Sequence, residues 1–296
     1  MFLGIEIGGT KLQLGVGAGD GTIATLERLD VDRSRGAEGI LAQIAKTGFE
    51  LIARHDVRAV GIGFGGPIDS MQGRTVKSHQ VAGWESFPLV EWTHSTLGLP
   101  AVLGNDADLA ALAEARFGAG RGRDPVFYVT VGTGIGGGLV IDGQVYRGSG
   151  WAASEIGHLR PGLDCEDAQQ TVEAIASGPA IVAAAQRASQ SIEQLTALRV
   201  AEAAANGNAV AVSIFRKATR VLGWAIAQAI TLTAPQVVVV GGGVALAGEE
   251  LFYVPLREAV DRYVFPSLRG HYEILAPLLG ETVVVHGALA LAADQV

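Results

Sequence analysis

Two glycine turns carry most of the chemistry that can be read from this chain. Gly8, Gly9, Thr10 and Lys11 stand between an alternating apolar run, Leu3, Ile5 and Ile7, and a second one, Leu12, Leu14 and Val16. That period-two pattern is a half-buried hairpin. Glycines at its bend let bare amide N–H groups approach a ligand, and the adjacent hydroxyl and ammonium suit a polyphosphate. About half a chain later, Gly132, Thr133 and Gly134 repeat the arrangement inside the run from Val126 to Ile141. One such turn is ordinarily only a turn. Two of them, one per lobe, imply a duplicated fold closing on a nucleotide. Gly132, Gly134 and Gly137 also match G-x-G-x-x-G, as do Gly61, Gly63 and Gly66, but Leu139, Val140 and Ile141 continue a strand where a dinucleotide-binding turn needs a helix. No G-x-x-x-x-G-K-[ST] motif occurs.

A third glycine turn, Gly241, Gly242 and Gly243, follows the apolar strand Val237–Val240, and the carboxyl end of such a strand is where α/β sheets take ligands. Among the acids, Asp106 stands beside Asn105 at the start of a helix predicted over 106–117. Either residue serves as a helix cap. A carboxylate there is also kept ionised by the free N–H groups and the helix dipole, which suits a base that must take a hydroxyl proton. On local sequence alone the plain cap is the favoured reading.

The elements that must position these residues follow from periodicity. Strands are predicted over 22–30 and 57–64, the latter ending in Gly65, Gly66, Pro67, Ile68 and Asp69, with a helix over 37–54 between them. A short helix over 89–97 and a strand over 100–103 precede the helix of Asp106. The glycine- and arginine-rich stretch 118–125 reads as a hinge between lobes. Beyond the second hairpin the chain is more helical: Ser177 caps a helix with Pro179 in its first turn, Thr196 opens another, Asn208 to Thr233 forms a long apolar helix stopping before Pro235, and a further helix starts near Gly248. The expected division is a small lobe, 1–117 plus 287–296, and a larger lobe, 118–286. Its 296 residues are ample for two lobes. A formal charge of −8 gives no electrostatic footprint for nucleic acid or an anionic membrane. The basic leader of a signal peptide is missing from the start, no run reaches the ~18 apolar residues of a membrane span, and a single cysteine allows no internal disulfide. A cytoplasmic protein is the expectation.

The order and spacing of Gly8-Gly9-Thr10-Lys11, Gly65-Gly66-Pro67-Ile68-Asp69, Gly83-Trp84, Asn105-Asp106, the Phe117 to Arg121 run, the Gly132 to Gly138 run, Glu155-Ile156-Gly157-His158 and Gly241-Gly242-Gly243-Val244 resemble the ROK family of repressors and sugar kinases, from about Leu3 to Ala292. The resemblance implies an α/β, two-lobed actin-like ATPase (ribonuclease H-like) fold with duplicated βββαβα-type lobes and a central cleft. It implies ATP-dependent phosphorylation of a hexose hydroxyl, glucokinase-like, at the 6-OH of an aldohexose, with Asp106 as general base. By the same resemblance, Gly8, Gly9, Thr10, Lys11, Gly132, Thr133 and Gly134 hold the phosphates, and Gly241, Gly242 and Gly243 border the adenosine. Gly66, Asn105, Asp106, Glu155, His158 and Glu173 bind the sugar. Glu155 in the Glu-x-Gly-His motif favours an aldohexose, with fructokinase the alternative within the family. Of another class is an inactive sugar-binding or regulatory member; family repressors carry a DNA-binding segment ahead of the first hairpin, which here starts at residue 2. ATP and Mg²⁺ are the implied cofactors, polyphosphate an alternative donor, and a homodimer the usual family state.

Two departures from the family pattern stand out. The first-hairpin acid, usually Asp, is Glu6, as in some fructokinase-like members, and is expected to reach Mg²⁺ through water. The family's zinc run after the histidine is replaced by Leu163 to Thr171, which holds only Cys165. Four Cys or His ligands make a closed structural zinc site, so no zinc is expected, and a carboxylate of Asp164, Glu166 or Asp167 is expected to orient His158 instead. Elemental analysis of purified, untagged protein should find no zinc after dialysis against chelator, and chelation followed by Mg²⁺ restoration should leave activity and melting temperature unchanged; about one retained zinc per chain overturns the expectation.

Overall fold

The structure is a computed structural model of the 296-residue chain, and it describes all residues except 79, 150–151, 163–166, 168, 189–194 and 296. Two compact units are present: Met1–Gly122 with Gly138–Ala153 and Leu278–Val296, and Arg123–Gly137 with Ser154–Pro277. The sequence-based boundary at 117/118 thus lies slightly before the observed one, which still falls in the 118–125 stretch. The C-terminal return begins earlier than 287, at Leu278, and residues 138–153 add a segment that periodicity gave no reason to separate.

The first sheet is made of β1 (Phe2–Ile7), β2 (Lys11–Gly17), β3 (Ile23–Asp30), β4 (Val60–Phe64) and β7 (Ala101–Asn105), in the order β3-β2-β1-β4-β7. The antiparallel β1–β2 hairpin pairs Ile7 with Leu12 across the glycine turn, while β4 and β7 run parallel to β1. Helix α1 (Gly36–Arg54) turns Ile40, Ile44 and Leu51 into the core against Leu3, Ile5, Leu12 and Leu14. A two-stranded ribbon, β5 (Ile68–Asp69) with β6 (Arg74–Thr75), leads to α2 (Leu89–Leu97), and α3 (Asp106–Phe117) follows β7 directly. Trp84, fully buried, stacks edge-on to Phe64 and Phe87 and fixes the segment between ribbon and helix.

The second sheet repeats that plan. Its strands are β8 (Val126–Val131), β9 (Ile135–Ile141), β10 (Gln144–Val145), β11 (Val237–Gly241) and β12 (Glu273–Leu275), ordered β10-β9-β8-β11-β12, with β8, β11 and β12 parallel. This is the duplication the two hairpins implied. The helices are α4 (Val172–Ala176), α5 (Gly178–Ala188), α6 (Ala197–Ala205), α7 (Ala209–Thr233) and α8 (Val254–Tyr263). Asn208 caps α7 by accepting the Ala211 N–H at 3.0 Å, and Ala234 ends it in a left-handed conformation before Pro235. The helix expected from Gly248 begins instead as a π-helical turn, Glu249–Tyr253, that leads into α8; Pro255, lacking an N–H, sits in the first turn of α8.

The chain ends in α9 (Val283–Ala293), which packs on β1, β4 and α3 within the first unit and is buried from Val283 to Ala292. The approach is backbone to backbone. A Cβ on Gly61 would overlap the Ala288 carbonyl oxygen, and one on Gly287 would overlap that of Leu109. Gly287→Ala is therefore expected to cost ~1–3 kcal/mol through overpacking, read as a lowered urea midpoint with unchanged slope. An unshifted midpoint would mean that α9 has room to spare.

Candidate active site

Parallel strands bring the first group of residues together. In register, Ile7 lies beside Phe64 and Phe64 beside Asn105. The residues that follow β1, β4 and β7, namely Gly8-Gly9, Gly65-Gly66 and Asp106, consequently leave the sheet at one carboxyl edge, the edge where α/β folds take ligands. The Gly8 N–H donates to the Lys11 carbonyl at 3.0 Å and the Gly65 N–H to that of Ile7 at 2.9 Å, so both turns are tied down. Asn105 is the cap of α3. Its side-chain oxygen accepts from the Ala107 N–H at 2.9 Å and from the Asp108 N–H at 3.4 Å, and its amide nitrogen donates to the Gly66 carbonyl at 3.1 Å. Because Asn105 caps the helix, Asp106 is not needed as the cap; one of its oxygens is held by the Ala107 N–H at 2.9 Å. A Cβ on Gly65 would stand 3.4 Å from its other oxygen.

Glu6 points from β1 into a polar nest that sequence does not reveal. Gln13, fully buried in β2, donates to Glu6 at 2.5 Å and to the Glu281 carbonyl at 2.9 Å, and the Lys11 ammonium lies 3.4 Å from Glu6 and 3.1 Å from the same carbonyl. Burial pushes the Glu6 carboxyl above the usual glutamate range, against the pull of Lys11 and Gln13. Arg33 braces the turn through its 2.6 Å bond to the Gly9 carbonyl. Neither Gln13 nor Arg33 belongs to a motif, which is why periodicity passes over them.

The second unit carries its own group. Gly132, Thr133 and Gly134 follow β8, and Gly241, Gly242 and Gly243 close and follow β11; Gly241 pairs with Thr130, and the Val244 N–H donates to the Val131 carbonyl at 2.9 Å, so the two turns are neighbours. Glu173 in α4 reaches the first of them and accepts the Ile135 N–H at 2.7 Å. A Cβ on Gly134 would come within 2.6 Å of that carboxylate, so this contact requires glycine. Thr171 caps α4 through the Ala174 N–H, and the Gly178 N–H donates to the Gly132 carbonyl at 2.9 Å. His158 and Glu173 line a cavity of about 530 Å³ together with Thr133, Gln169, Thr171 and Ser177. The sequence marks Ser177 only as a helix cap and Gln169 only as part of the 163–171 run, so neither is legible there as a lining residue. Glu155 precedes the short turn Ile156–His158. Burial raises its carboxyl above the ordinary value; the nearby imidazole of His158 opposes the rise and Glu173 adds to it.

Of the acids expected to orient His158, Asp164 and Glu166, with Cys165, lie outside the described residues. The third, Asp167, accepts the Gln169 N–H at 2.9 Å. The phosphate-turn, sugar-site and adenosine-turn residues divide as follows: Glu6, Gly8 to Lys11, Gly66, Asn105 and Asp106 belong to the first unit, and Gly132 to Gly134, Glu155, His158, Glu173 and Gly241 to Gly243 to the second. The described residues include no group of three or more His, Cys, Asp and Glu that could cage a metal, and no helix long and apolar enough to cross a membrane.

Comparison with known proteins gives a consistent picture. The model of the ROK family matches residues 2–295. The chain is 32% identical to a glucokinase of Thermotoga maritima over 100% of this chain and 98% of that protein. It is 34% identical to an N-acetylmannosamine kinase of Escherichia coli, over 96% and 98% of the two chains. A ROK family glucokinase from Streptomyces griseus, solved with glucose and AMPPNP, superposes with a TM-score of 0.84 at 34% identity, covering 99% of each chain.

The raised carboxyl of Glu155 has a stability consequence. A carboxyl whose folded value lies above its unfolded one stabilises the fold fully below the ordinary value of 4.5, and that contribution is lost as pH rises through the folded value. Glu155→Gln removes the loss. Its melting temperature should fall less than that of the wild type as pH rises from 4.5 to neutrality, and be equal or higher at neutrality; superimposable profiles would mean that the carboxylate is solvated.

Proposed function

The chain belongs to the ROK family, and from that premise we propose that it is an ATP-dependent hexose kinase of glucokinase type, acting on the 6-hydroxyl of an aldohexose. The observation that carries the reading is the place of Asp106: it is the first residue of α3, directly after β7, where Asn105 supplies the side-chain cap and the parallel register brings its carboxylate to the same sheet edge as Gly8-Gly9 and Gly65-Gly66. A sugar hydroxyl is a poor nucleophile, so positioning, charge neutralisation and a base must supply the acceleration. Asp106 takes the hydroxyl proton as the sugar oxygen bonds to the γ-phosphorus. The bond from that phosphorus to the bridging oxygen of the β-phosphate breaks, and ADP departs.

The amide-bearing turns at Gly8–Lys11 and Gly132–Gly134 bind phosphoryl oxygens, and Gly241–Gly243 borders the adenosine. Asn105, Glu155, His158 and Glu173, with the backbone at Gly66, are assigned to the sugar's hydroxyls. A site built on such bonds rejects analogues by leaving its buried polar groups unpaired. Mg²⁺ suits this donor set only through water, because Glu6 already faces Lys11 and Gln13 and the ion keeps much of its hydration. Bound with the nucleotide, it would neutralise phosphate charge.

A coupled ADP-release assay over glucose, mannose, fructose, N-acetylglucosamine and N-acetylmannosamine tests the reading. Glucose should give the highest kcat/KM. Preference for fructose or an N-acetylated sugar would move the chain to another activity within the family, and no turnover with any sugar would make it a binder. Asp106→Asn should hold sugar affinity within a few-fold while kcat falls by roughly 10²–10⁴. A near wild-type rate would reduce Asp106 to a helix residue.

A further inference from the structure

Cations collect on one surface of this acidic chain. Arg216, Lys217 and Arg220 on α7 and Arg262 on α8 line a groove of about 700 Å³ with Ser213, Thr219 and a single carboxylate, Glu258. The four cations are exposed, and none of them forms an ion pair among the described residues. Arg216 and Arg220 stand four residues apart on one helix face, a like-charge pairing that weakens the helix unless something neutralises it. The protein has 22 Lys and Arg in all against 30 acids, so solubility does not require four unpaired cations in one place.

We propose that this groove is a second anion site, for a small molecule carrying several phosphoryl oxyanions. Guanidinium forks bind phosphate oxygens in pairs, and the three arginines here offer such forks from two helices. Ser213 adds a hydroxyl, whereas the hydroxyl of Thr219 donates to the Phe215 carbonyl at 2.9 Å. The groove has the capacity of an ordinary small-molecule site. A duplex nucleic acid is a poor match, since it rewards six or more distributed phosphate contacts and the overall charge is −8. None of the lining residues belongs to the glycine turns or to the sugar-site residues, so the site is separate from the catalytic reading.

Calorimetry with sodium tripolyphosphate at low ionic strength, on the full chain saturated beforehand with glucose and AMPPNP so that the catalytic turns are occupied, provides the test. The wild type should show binding that weakens about tenfold or more in R216A/R220A, as expected for loss of charge-assisted paired hydrogen bonds, while Glu258→Gln tightens it. Kinase turnover without tripolyphosphate should be the same in wild type and R216A/R220A, so failure of the catalytic reading shows itself separately, as absent turnover in both. Replacing the probe with a hexose 6-phosphate distinguishes a phosphate ester from a polyphosphate as the occupant. Equal binding in wild type and R216A/R220A overturns the proposal, and so does a change in sedimentation of R216A/R220A, which would make the face a contact between copies of the chain.

Discussion

The structure depends on strands that run the same way and end together. Ile7, Phe64 and Asn105 are aligned across β1, β4 and β7, so one register places a glycine turn, a second glycine turn and an acid side by side without any of them being close in sequence. β8 and β11 do the same for the second pair of turns. A slip of one residue in any of these pairings would turn the alternating side chains to the wrong face, and the chemistry would scatter with them. In β4 the alternation of Gly61 and Gly63 with Val60, Ile62 and Phe64 guards against that, since a slip would bring a side chain onto the Ala288 carbonyl and Val284 of α9.

That order of dependence explains what was legible in the sequence. Hairpins, glycine turns, the cap of α3 and the stop of α7 are local events, written within a few residues of where they act. The family resemblance added roles that no local pattern holds. What could not be read is tertiary: the Gln13 amide bridging Glu6 to the Glu281 carbonyl joins residues 268 apart, and the Glu173 bond to Ile135 spans 38. The short strands β10 and β12 have too few residues to display a period, and the π-helical turn before α8 replaces the expected regular start.

The acids of the two units illustrate a common tension. Glu6 and Glu155 are held where burial disfavours their charge, and a fold optimised for stability alone would not keep them so. Glu114 shows the opposite solution. Wholly buried at the end of α3, it accepts N–H groups from Ala119, Leu278 and Leu279 at 2.7–3.2 Å. It is a structural acid, compensated by backbone donors, and it fastens two connecting segments of the first unit to one side chain.

The position of α9 also bears on how the molecule is made. Its apolar residues fill the space between the first sheet and α3, yet it is synthesised only after residues 123–277 have been. On the ribosome, β1 to β7 and α3 therefore emerge with one face of their sheet uncovered, and must wait for the whole intervening unit before that face is sealed. Domains tend to fold as units while the chain lengthens, so the interrupted second unit has every residue it needs before the first one does. The N-terminal half of this protein is the first to be translated and the last to be finished, and during that interval its exposed β-sheet face is the surface on which chaperones have most reason to act.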